Sequence, residues 1–151
     1  MTIGSLYVPA DRAALIVRVR SLRPDSPRQW GKMDSAQMLA HCQVGLRLAL
    51  GEMKLKRALI GYLFGGMARR KLLSPEPWGR NLPTAPEFKI KGSGDFARER
   101  EALVGLLERF GDGGPEVLTK EPHPFFGKLS SAEWDVLQWR HVDHHLRQFG
   151  A

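Results

Sequence analysis

The segment Glu133-Trp134-Asp135-Val136-Leu137-Gln138-Trp139-Arg140-His141-Val142-Asp143-His144-His145-Leu146-Arg147-Gln148-Phe149 holds three of the chain's five histidines. Ser130-Ser131-Ala132-Glu133 opens it, and that Ser/Glu spacing predicts a helix from about Ser131. Each helical residue advances about 100°, so His145 falls about 40° round from His141 and one turn along, on the same face. This is metal-ligand spacing. The same wheel puts Trp134, Leu137 and Gln148 near the pair, with Val142, Phe149, Leu146 and Trp139 extending an adjoining apolar arc. The pair is therefore expected to point inward. His144 falls toward Arg140 and Arg147 on the polar side and is the weaker ligand candidate.

Two histidines four apart supply two of the three protein ligands that an open divalent-metal site commonly uses. A third candidate lies far upstream, in Asp34-Ser35-Ala36-Gln37-Met38-Leu39-Ala40-His41-Cys42-Gln43-Val44-Gly45-Leu46-Arg47-Leu48. His41 shares a helical face there with Met38, Gly45 and Leu48, where an imidazole without a partner is costly. Metal coordination would be such a partner, and so would a hydrogen bond to a carboxylate or carbonyl; spacing alone leaves both open. Three neutral imidazoles would leave a bound ion doubly positive, suited to activating a water or holding a thiolate or carbonyl oxygen. Such a donor set suits zinc or nickel first, with iron and copper behind them.

At 151 residues the chain fits one domain, residues 1–151, with a core large enough to stand without cross-links. A single cysteine excludes an internal disulfide, and Cys42 reads as a small apolar residue in a reducing compartment. The opening Met1-Thr2-Ile3-Gly4-Ser5-Leu6-Tyr7-Val8-Pro9 lacks a basic region followed by an apolar run, so the cytoplasm is the expected location. The formal charge of +7 raises the question of nucleic acid or an acidic membrane. The cations are scattered, however, and Tyr62, Phe64 and Trp78 lack the alternation of a base-stacking platform. A basic solvated face is the simpler reading.

Asp11–Leu22 predicts a first helix with Leu15, Val19 and Leu22 inward, although Ile16, Val17 and Val19 would also suit a strand. Asp34 and Gln37 form a capping box for a second helix that ends near Gly51. Leu55–Leu73 is apolar in its middle and basic at its ends. It is too short to span a bilayer, and it reads as a buried third helix interrupted at Gly65-Gly66, with an interfacial membrane helix as the alternative. Residues 74–94 are rich in Pro and Gly and read as a long cover packed down by Trp78, Leu82 and Phe88. Asp95 caps a fourth helix, Phe96–Phe110. The sum is an all-α helix bundle of about five helices, a class that builds metal sites between facing helices.

Trp30-Gly31-Lys32-Met33 leading to Gln37-Met38-Leu39-Ala40-His41-Cys42, His123-Pro124-Phe125-Phe126-Gly127, and Trp134 leading to His141 through Phe149 together resemble an uncharacterised branch of the DinB/YfiT-like superfamily. The likeness is closest at the two ends and covers nearly the whole chain. It implies an up-down four-helix bundle that binds a divalent metal and forms a homodimer, with residues 55–94 adding a helix and a long loop. His41, His141 and His145 stand at the ligand positions, and His144 at that of an extra histidine outside the ligand set. The resemblance also implies a metal-dependent transferase or hydrolase acting on a small molecule, with a low-molecular-weight thiol as co-substrate. The chain departs from better-known members in placing Leu146-Arg147-Gln148 after the histidines where they have Arg-Gly-Gln. Pocket groups therefore do not carry over, and His144, Gln148, His123, Trp134 and Trp30 are candidates from their own placement. The rival class is a non-catalytic basic module that binds a partner protein, an acidic membrane or nucleic acid.

Overall fold

The computed structural model describes residues 3–151; Met1 and Thr2, which open the stretch read for a leader, lie outside it. Five α-helices follow one another: α1 (Pro9–Ser21), α2 (Ser35–Ala49), α3 (Leu59–Leu72), α4 (Phe96–Gly113) and α5 (Ser131–Gln148). Among the described residues there is no β-strand, only an isolated bridge between His123 and Gly127. No helix among them is long and apolar enough to cross a membrane.

Local chemistry explains where four of the helices start. Asp34 and Ser130 both make the full capping box, with Gln37 and Glu133 as the reciprocal partners. The Asp95 carboxylate takes the Arg98 N–H at the start of α4. Pro9 sits at the first turn of α1, where its missing N–H costs nothing, so α1 begins two residues before Asp11. At the other end, α4 runs past Phe110 to Gly113 and stops where Gly114 takes a φ of 62°.

Four of the helices supply most of one core, which Leu72 at the end of α3 joins. Leu15 and Val19 of α1, Met38, Leu39, Cys42 and Leu46 of α2, Leu103, Leu107 and Phe110 of α4, and Trp134, Val142 and Leu146 of α5 are all buried in it. α2 packs most extensively on α4 and then on α5, while α1 rests on α4 and α5. The seam between α2 and α5 is therefore internal, and it is where His41 meets His141 and His145. Asp135 ties the start of the chain to α5 by accepting from Ser5 Oγ at 2.6 Å and Leu6 N at 2.7 Å.

α3 departs from the expectation of a buried, interrupted helix. It is continuous through Gly65-Gly66, and its large side chains Leu59, Ile60, Leu63, Phe64 and Met67 are exposed. Its inward face is made instead by Gly61, Gly65 and Leu72. A methyl group at Gly61 would lie 2.7 Å from the Phe125 carbonyl oxygen, so the missing side chain permits the contact. Gly65 meets the same carbonyl. Arg69 fastens the helix further, its guanidinium reaching both Glu133 carboxylate oxygens at 2.5 and 2.8 Å.

In the long segment after α3, Trp78 and Phe88 pack against the core, whereas Leu82 stays exposed. A one-turn 3-10 helix, Pro86–Phe88, delivers Phe88. Arg140 holds the near end of this segment. The wheel places it on the polar side of α5, yet it is buried, and its guanidinium donates to the carbonyls of Leu72, Ser74 and Glu76. Those carbonyls, from the end of α3 and the turn beyond it, are what make an inward arginine tolerable.

Candidate metal centre

His41, about two helical turns after the Asp34 cap, and His141 and His145, one turn apart on α5, bring a ring nitrogen each to within 4.8 Å of one another. The Nε2 atoms of His41 and His141 are 2.9 Å apart. Two nitrogens bonded to one ion at about 2.0–2.1 Å would lie ~2.9 Å apart at a right angle and ~3.4 Å apart at the tetrahedral angle. The 2.9 Å spacing equals the right-angle value, whereas separations in the trio reach up to 4.8 Å, so a ring would have to shift inward for all three to share one ion.

The outer partners decide which nitrogen of each ring faces inward. His41 Nδ1 donates to the Phe88 carbonyl oxygen at 2.8 Å, leaving its Nε2 with a lone pair. His145 Nδ1 donates to Gln148 Oε1, also at 2.8 Å, with the same consequence. An imidazole held by a carbonyl on one nitrogen and open on the other is the usual dress of a metal ligand. Gln148 is itself oriented, because its Nε2 donates to the Trp30 carbonyl at 2.8 Å. Gly31, with φ at 80°, makes that bond possible, since a side chain there would collide with the Gln148 amide.

His141 is accommodated by Gly45 on the facing helix. A methyl at Gly45 would lie 3.2 Å from His141 Nδ1 and 2.9 Å from Gln138 Oε1. That Gln138 oxygen is buried and without a hydrogen-bond partner.

Burial keeps the trio neutral. It is the largest cause lowering the pKa of His41, offset by the Phe88 carbonyl, and it drives His141 well down, helped by repulsion from His41 and His145. His145 is pushed down to about 3 by burial and then by His41. Neutral rings have lone pairs to give, which is the state a divalent ion needs. Without an ion, the 2.9 Å contact requires a proton on His141 Nε2, since His41 has committed its own to Phe88.

The remaining candidates fall in two places. His144 stands beside the trio, its ring 5.2 Å from that of His145, between Trp30 at 5.7 Å and Trp78 at 5.9 Å. Arg80 stacks on Trp30 at 4.5 Å, so two indoles, an imidazole and a guanidinium gather at this edge of the cluster. His123 and Trp134 are elsewhere. Trp134 lies seven residues before His141, about 10 Å down the helix axis, and packs on His123 with ring centroids 5.5 Å apart. His123 Nδ1 accepts from the backbone N–H groups of Phe125 and Phe126, and burial lowers its pKa to about 4. It is a buried residue that shapes the turn against which α3 rests.

Three groups escaped the sequence reading. Phe88 matters through its carbonyl, which no side-chain pattern signals. Arg140 reads as a surface charge until its acceptors are seen. Gly45 shares a helical face with His41, and a small residue at that place is the only clue the sequence offers to the contact with His141.

An all-helical protein with a three-histidine cluster between two core helices is the class that fold and site define. The chain belongs to the family described as "Protein of unknown function (DUF1569)", which matches residues 5–151. No curated protein and no solved structure matches it.

Proposed function

We propose that this protein binds one divalent metal ion through His41, His141 and His145 and presents it to a small molecule, as a DinB/YfiT-type bundle would. The carrying observation is the convergence of three neutral imidazoles from segments a hundred residues apart, two of them with Nδ1–H engaged by a carbonyl oxygen. Zinc or nickel fits the donor set best. The ion would supply Lewis acidity at a position open to water, a thiol or a carbonyl oxygen. His144, Trp30, Trp78 and Arg80 would contact whatever enters. The reaction class that suits this rim and donor set is transfer or hydrolysis, with a low-molecular-weight thiol as one candidate co-substrate.

Elemental analysis of protein purified without a histidine tag tests the reading: about one zinc or nickel per chain is expected, and none in the His141→Ala, His145→Ala variant. Equal metal in both forms, or none in the native chain after incubation with zinc and nickel, would overturn it. A second reading has its own support, since the His41–His141 contact satisfies two of the rings with no ion. The protein would then be a non-catalytic basic module. Salt-sensitive retention on heparin that survives loss of all three histidines is its signature.

A further inference from the structure

α3 is built inside out. Its small residues Gly61 and Gly65 face the protein, while Leu59 is 81% exposed, Leu63 74%, Met67 65% and Ile60 56%. Leu59, Ile60, Leu63, Phe64 and Met67 occupy one contiguous arc of the helix surface. Rotation cannot hide them, because the glycine face is seated on the Phe125 backbone and Arg69 is fixed to Glu133. Such a contiguous apolar face calls for a cover.

Charge says what the cover is. Residues 53–75 contain Lys54, Lys56, Arg57, Arg69, Arg70 and Lys71, with no Asp or Glu among them. Lys56 and Arg57 stand at the start of α3, Arg70 and Lys71 at its end. A second copy laid against this face would set cations on cations whether the two helices ran parallel or antiparallel. An anionic surface would neutralise them. The helix, about 21 Å long, is short of a span and suited to lying flat.

We propose that the outward face of α3 docks on an anionic phospholipid bilayer, the apolar arc entering the headgroup boundary and the flanking cations meeting lipid phosphates. This holds whether or not the histidine cluster carries a metal.

Co-sedimentation of the full chain with phosphatidylcholine vesicles containing roughly 30% phosphatidylglycerol, against phosphatidylcholine alone, tests it. Binding at least about tenfold stronger to the anionic vesicles is expected, and weaker as salt rises. The Leu63→Gln, Met67→Gln variant should lose about tenfold or more of that binding, with helical content and melting unchanged because both side chains are exposed and glutamine is nearly as good a helix former as leucine or methionine. The Arg70→Gln, Lys71→Gln variant should bind less and with a shallower salt dependence. No preference for anionic vesicles, or binding indifferent to the Leu63/Met67 changes, would refute the proposal. A dimer in analytical ultracentrifugation that the same apolar changes dissolve would also refute it and assign the face to a second copy.

Discussion

Replacing Gln148 with methionine removes the group that fixes His145 while filling nearly the same volume. Gln148 makes two bonds of 2.8 Å, accepting from His145 Nδ1 and donating to the Trp30 carbonyl. Losing the first frees the ring to place its proton on Nε2, the nitrogen that faces the cluster. Loss of such an outer partner typically costs ten- to a hundredfold in metal affinity, which is about 1.4–2.7 kcal/mol. Losing both bonds also leaves the Trp30 carbonyl short of a donor, at about 1–3 kcal/mol of metal-free stability. The two effects separate by assay: competition with a chromophoric chelator reads the affinity, and urea denaturation in excess chelator reads the fold. Gln148→Glu is the control, because it keeps an acceptor for His145 while losing the donor to Trp30. It should retain affinity near that of the native chain and still lose stability. Native-like zinc affinity in Gln148→Met, or an affinity in Gln148→Glu below that of Gln148→Met, would refute the orienting role of this residue.

Two further outcomes follow from the packing. Gly61→Ala puts a methyl 2.7 Å from the Phe125 carbonyl and should destabilise by about 1–3 kcal/mol, whereas Gly66→Ala meets nothing within 4 Å and should stabilise by about 0.5–1 kcal/mol; thermal melts of the two variants side by side check the opposite signs. Arg140→Met strands the Leu72, Ser74 and Glu76 carbonyls and should lower stability by about 2–4 kcal/mol. Limited proteolysis of that variant should cut first within residues 73–82.

The starts of α2 and α5 were legible because capping is local: Ser130 with Glu133 and Asp34 with Gln37 carry their partners three residues away. The meeting of His41 with the α5 pair was legible because an imidazole on an apolar face demands a partner. α3 was misread for a reason that generalises. Hydrophobic pattern identifies a helix face but not which way it points, and here the glycines, a break by pattern, are the packed side. Trp134 was misplaced because a wheel projects away distance along the axis, and two turns separate it from His141. Arg140 and the Phe88 carbonyl were invisible because both act through the backbone of residues 72–88, whose path no local signal specifies.

The bond from His41 to the Phe88 carbonyl joins a core side chain to the segment that arches over it. Any displacement of residues 86–88 therefore breaks that bond. It releases the proton on the far side of the ring, and the imidazole becomes free to re-protonate at the nitrogen it had been offering inward. The position of this short turn and the tautomer of His41 are thus tied to each other.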